Sequence, residues 1–159
     1  MAKPKSKSKS RSPARIHLLD VNLLIALAWP QHVHHARAHV WFERVGRQAW
    51  ASCPLTQLGF VRISSNPKII ANAVSPRAAT GVLTQMVSLP GHTFWTDDLP
   101  VHGLAAMAGT ALIGHRQVTD AYLIELARHH GGVLATLDAG MAELLPQAER
   151  AQHVVLIGA

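Results

Sequence analysis

Cysteine is almost missing from this chain. Cys53 stands alone among 159 residues, so no intrachain disulfide can form. A lone thiol fits a cytoplasmic setting, in which the fold is held by its core. No uncharged run is long enough to span a bilayer, so a membrane protein of the helical kind is not expected. No G-x-G-x-x-G follows the first strand-like segment, which argues against a Rossmann cofactor site. There is no G-x-S-x-G nucleophile elbow, and Cys53 sits in "SCPL" with no base assignable beside it, so a serine or cysteine hydrolase is disfavoured. Internal repeats are absent. Acids are absent from the first 15 residues, "MAKPKSKSKSRSPAR", which hold six of the 15 Lys and Arg residues. The remaining nine basic residues meet nine acids, so the net charge of +6 belongs to the leader and not to the rest.

What is present is apolar: hydrophobic residues make up 48% and charged residues 15%, enough for the core of one domain. The Lys/Ser/Pro-rich leader has almost nothing to bury, which predicts a disordered basic tail over residues 1–15. It reads either as an electrostatic arm toward nucleic acid or as a solubilising leader. A folded domain is expected over residues 16–159. The basic leader, the run "VNLLIALA" and Ala26-Leu27-Ala28 together have the look of a secretory signal. Against export stand the length of the basic region, the polar interruptions at Asp20 and Asn22, and the first strand that cleavage would remove.

Along the chain, "IHLL" reads as a short buried strand and "VNLLIALA" as the helix after it. "HVHHARAHVWFERVG" reads as a second helix stopped by Gly46, and "AWASC" as a strand. "PLTQLGFVRISS" opens with Pro54 at a favoured first helical position. "SPRAATGVLTQMVSLPG" has Ser75 as N-cap and stops at Pro90-Gly91. "HTFW" is a brief strand and "DLPVHGLAAMAG" is helical. "VTDAYLIELARHHGG" is the plainest helix, with Thr119 or Asp120 as its cap and Gly131-Gly132 as its end. "VLATLD", "AGMAELLP" and "HVVLI" read as strand, short helix and last strand. Strands that are continuous apolar runs, alternating with helices, predict an α/β fold with a mainly parallel central sheet covered on both faces.

Why does a carboxylate sit inside "IHLLDVNLLIALAW"? An unpaired buried charge costs several kcal/mol or takes up a proton. In a parallel sheet, however, Asp20 and Asp138 both close strands and so reach the same carboxyl edge, where ligands bind. Asp120 opens a helix that would have to start on that edge to join them. Helix capping explains any one of the three alone. Three together repel one another, and a hard divalent cation such as Mg²⁺ or Mn²⁺ relieves that repulsion.

"LLDVNLLIAL", "CPLTQLGFVR" and "VTDAYLIELARHHGGVLATLD" resemble the PIN-domain ribonucleases of the VapC toxin type, over nearly all of residues 16–159. The resemblance implies a PIN-like α/β/α sandwich and hydrolysis of RNA phosphodiester bonds with Mg²⁺, Mn²⁺ being possible. It implies Asp20, Asp120 and Asp138 as metal-binding, catalytic acids, with Asn22 and Thr136 as supporting polar residues. It also implies neutralisation by a cognate VapB-type antitoxin, and homodimers are common in that family. One position departs. Many members carry a glutamate where this chain has Gln57, which can hold a hydrogen bond or a metal-bound water but brings no charge. That departure motivates the alternative of a catalytically weakened PIN-like module that binds RNA or a partner.

Other candidates are weaker. A phosphatase of the haloacid-dehalogenase kind also begins with a strand-end aspartate, but it needs a second one where this chain has Asn22. Arg62, Arg116 and Lys68 are available for phosphates. Trp29, Trp41, Trp50 and Trp95 sit in apolar contexts and are expected in the core. His32, His34, His35 and His39 suggest zinc by number, but no cysteine or acid of structural-zinc spacing accompanies them and H-E-x-x-H is absent.

Overall fold

A computed structural model of the chain describes residues 14–104 and 114–158. The expected tail lies outside the described residues up to position 13, as does the second half of the helix expected over "DLPVHGLAAMAG". Five short strands form one sheet: β1 His17–Leu19, β2 Trp50–Ser52, β3 His92–Phe94, β4 Val133–Thr136 and β5 Val154–Leu156. Their order is β3-β2-β1-β4-β5, and every pairing is parallel. The order reverses between β1 and β4. In sheets wound both ways from the centre, a crevice opens at that point, beyond the carboxyl ends of the two strands.

Seven α-helices lie among the described residues: α1 Val21–Ala28, α2 His35–Arg44, α3 Pro54–Ser64, α4 Pro76–Val87, α5 Gln117–His129, α6 Ala139–Glu143 and α7 Gln147–His153. Side chains alternate across a strand, so the inner strands β1, β2 and β4 each feed two cores. Leu18, Ala51 and Leu134 pack with Tyr122, Ile124 and Leu126 of α5 and with Met141 of α6. Leu19, Trp50 and Ala135 pack on the other face with Leu23, Leu24 and Leu27 of α1, Phe42 of α2, Phe60 of α3 and Leu83 of α4. The result is an α/β/α sandwich.

Local signals explain most boundaries. Ser75 caps α4 by accepting from the Ala78 N–H at 3.2 Å, with Pro76 in the first turn. Helix α5 ends in a Schellman arrangement: the Gly132 N–H donates to the Ala127 carbonyl and the Gly131 N–H to the Arg128 carbonyl. Gly131 takes φ 69°, which glycine adopts without Cβ strain. Three boundaries differ from expectation. Neither Thr119 nor Asp120 caps α5; the helix starts one turn earlier at Gln117, with Arg116 preceding it and Asp120 in its first turn. Helix α2 begins at His35, with turns over the histidines before it. Helix α7, "QAERAQH", has no buried residue, so it carries no apolar period for sequence reading to detect.

Helices α1 and α3 touch at Gly59, where an added Cβ would lie 2.6 Å from Val21 Cγ2. Alanine would gain about 1 kcal/mol in helix propensity, but overpacking costs typically about 1–3 kcal/mol. Val21 is branched at Cβ and has little room to yield, so the clash should win. Gly59→Ala is therefore expected to lower unfolding free energy by up to about 2 kcal/mol in urea denaturation; an increase would show that the two helices separate freely.

Candidate active site

The cleft at the β1/β4 switch point is built on Asp20, the residue immediately after β1. Its side chain is 3% exposed. Oδ1 accepts from the Leu23 N–H at 2.7 Å, capping α1. Oδ2 accepts from the Thr136 hydroxyl at 2.5 Å, across to the end of β4. The same Thr136 Oγ1 accepts from the Asp138 N–H at 3.0 Å, and Asp138 Oδ1 accepts from the Gly140 N–H at 2.8 Å, capping α6. One buried hydroxyl thus fixes the relation between two of the aspartates.

Asp20, Asp120 and Asp138 line one cleft of ≈ 250 Å³, together with Asn22, Arg62 and Thr119. Burial pushes the Asp20 carboxyl up to about 6; the bonds from Thr136 and Leu23 oppose this, and the charges of Asp120 and Asp138 add to it. Burial, and then the Asp138 charge, push Asp120 upward as well. Among the described residues none of the three makes a salt bridge. Three carboxylates in one cleft, none salt-bridged to the Arg62 that shares its wall, form a donor set suited to a hard divalent cation. Their oxygens are not all within the 4.8 Å that marks the tightest clusters. An ion in this cleft would keep some of its waters, as Mg²⁺ usually does.

Gln57 is not brought to the cleft. Its Nε2 donates to Ser52 Oγ at 2.9 Å, and Ser52 Oγ lies 2.8 Å from His92 Nε2. From α3, it is Gly59, Arg62 and Ile63 that reach the cleft wall. Arg116 and Lys68 are exposed and do not line it. The tryptophans divide: Trp50 and Trp95 are core, whereas Trp29 and Trp41 are half-buried. Trp29 spends its indole N–H on Ser64 Oγ at 2.9 Å. The histidine group serves α1. His35 Nδ1 lies 2.7 Å from the Ala26 carbonyl and His39 Nε2 2.9 Å from the Leu27 carbonyl, satisfying the free end of that helix. His32 and His34 line a second pocket that shares Asn22 and Asp138 with the cleft; nothing in the sequence spacing signals that adjacency.

No protein-family model matches the chain. It is 49% identical to Ribonuclease VapC39 of Mycobacterium tuberculosis over 126 residues, covering 79% of this chain and 91% of that protein. With Ribonuclease VapC38 of the same organism it shares 46% over 130 residues, 82% of this chain and 90% of that one. Among solved structures, VapBC2 from Rickettsia felis, bound to a DNA fragment from its promoter, superposes with a TM-score of 0.58 at 9% identity, over 89% of this chain and 98% of that chain.

The raised Asp20 pKa has a definite sign for stability. Its folded value of about 6 exceeds the unfolded 3.8, so the folded state holds the extra proton between them. That contribution is present in acid and is lost as pH rises through 6. With chelator present, Asp20→Asn should therefore be more stable than the parent at pH 7.5, by on the order of 2–3 kcal/mol. The gap should narrow to about 1 kcal/mol at pH 4.5 and close only below the unfolded pKa of 3.8. Urea denaturation at the two pH values measures it; a variant less stable than the parent at pH 7.5 contradicts the burial argument.

Proposed function

Because the chain belongs to the VapC family of PIN-domain ribonucleases, we propose that it is a Mg²⁺-dependent endoribonuclease toxin, with Mn²⁺ as a possible substitute. The observation that carries this reading is the convergence of Asp20, Asp120 and Asp138 on one cleft with no cationic side chain paired to them. Asp20 and Asp120 would hold the ion, and Asp138 would hold it or its waters. When bound, such an ion lowers the pKa of a water and neutralises phosphate charge.

The protein's own contribution is placement. Thr136 holds Asp20 Oδ2 with its hydroxyl and orders the Asp138 backbone through the same oxygen. Asn22, exposed on the first turn of α1, supports the rim. Arg62 gives the wall a guanidinium, suited to an RNA phosphate. The same reading includes a cytoplasmic setting, a homodimer and neutralisation by a VapB-type antitoxin; the Rickettsia relative is itself named as a VapBC protein bound to DNA. Among the described residues, no helix is long and apolar enough to cross a membrane.

A catalytically weakened RNA- or partner-binding module is the second reading. It is favoured by one observation: α3 contributes Gly59, Arg62 and Ile63 to the cleft but no carboxylate. Incubation with total RNA separates the two. The nuclease reading expects cleavage that needs Mg²⁺, stops with chelator and falls by at least about 100-fold in Asp120→Asn. RNA binding without cleavage in any divalent cation would favour the module.

A further inference from the structure

Asp98, His129 and His130 play no part in the cleft. Among the described residues they form the one group of three His, Cys, Asp or Glu side chains whose donor atoms all lie within 4.8 Å of one another. Asp98 Oδ1 is 3.2 Å from His130 Nε2 and 3.5 Å from His129 Nε2. The Thr96 carbonyl oxygen is 3.2 Å from the same His130 Nε2. A charge-assisted N–H···O bond closes to about 2.7–2.9 Å. Two donors bound to one tetrahedral Zn²⁺, each at about 2.0–2.1 Å, stand about 3.3–3.4 Å apart. The two separations from Asp98 bracket that edge and exceed the charge-assisted length, while the Thr96 carbonyl stands at ordinary hydrogen-bond length from His130 Nε2.

The group is also rigid and reachable. Trp95, itself core, stacks on the His130 ring with centroids 4.7 Å apart and planes 10° apart. Gly132 leaves that indole room, since a Cβ there would sit 2.4 Å from Trp95 Cη2. The Schellman turn fixes the helix end that carries both histidines. The carboxyl end of a helix bears partial negative charge, which favours a cation. Arg128, the residue before His129 in the chain, is turned toward Glu125 and Glu149, at 3.4 Å from each. The side chains of Asp98 and His129 are 49% and 45% exposed, so an ion has a path from solvent.

We propose that Asp98, His129 and His130 bind one divalent transition-metal ion of the zinc class. Two imidazoles select zinc over magnesium. Three protein donors leave the fourth vertex of a tetrahedral ion to water. The ion clips the segment after β3 onto the end of α5. Asp120 lies nine residues earlier on that helix, roughly 14 Å along its axis, so this ion is separate from any in the cleft.

The test is calorimetric titration of ZnCl₂ into the full-length chain carrying no affinity tag, with Co²⁺ as the optical probe. Asp20→Asn serves as the control for the cleft and should keep the Zn²⁺ event. Asp98→Ala and His129→Ala should weaken it by more than the roughly 100-fold that loss of an outer-shell partner costs. Bound Co²⁺ should show the intense visible bands of a tetrahedral site in the parent and in Asp20→Asn, and lose them in the other two variants. Both residues are half-exposed, so the variants should keep the parent's far-ultraviolet circular dichroism. Parent-like Zn²⁺ affinity in Asp98→Ala and His129→Ala, or loss of the event in Asp20→Asn, would show that the trio is only an ion pair at a helix end.

Discussion

A single hydrogen bond, from the Thr136 hydroxyl to the Asp20 carboxylate, joins residues 116 positions apart in the chain. It closes the mouth of the sheet where β1 and β4 lie side by side, and it is buried at both ends. Because Thr136 also accepts from the Asp138 backbone, one oxygen sets the spacing of two acids. The bond opposes what burial does to Asp20, since hydrogen bonds to the charged form favour ionisation. Without it the carboxyl would be still more reluctant to give up its proton. Burial makes Asp20 hold its proton; the Thr136 bond draws its ionisation back toward neutral pH.

Helix α5 connects the rest of the molecule to this mouth. Its interior, Ala121–Ala127, is buried throughout, so the helix has little freedom to slide or turn against the sheet. Its first turn delivers Asp120 to the cleft and its last residues meet the segment after β3. Glu125 is buried within that run and leans on Arg128, which also reaches Glu149 of α7. The same rigid rod therefore fixes chemistry at one end and packing at the other.

The parts legible in sequence were those with local causes. Strand ends at Asp20 and Asp138 could be read because a parallel sheet sends all its carboxyl ends to one edge, so two acids far apart in the chain needed no further information to be placed together. Asp120 was legible as a member of the group but not as to position: capping preference pointed to Thr119 or Asp120, while the helix runs back to Gln117 without a side-chain cap. Gln57 shows what a lone sequence leaves out. Its place in α3 was clear, but whether its amide turned to the cleft or to Ser52 depended on where β2 and β3 brought their own polar groups. The Asp98 cluster was invisible for a similar reason. Two adjacent histidines ending a helix look like solvated surface until the chain after β3, about 30 residues earlier in the chain, is seen to return to them.

The central strand of this sheet is also its first. Residues of β1 pair with Val133, Leu134 and Ala135 on one side, which emerge from a ribosome only after four-fifths of the chain has been made. Parallel pairings over such separations are slow to close, because the connecting chain must be ordered before the contact repays it. During synthesis Asp20 is thus exposed early but meets Asp138 late. A nascent chain of this fold holds Asp20 alone at the growing edge of its sheet, and the cleft of three acids is assembled only once β4 and the helices around it are in place.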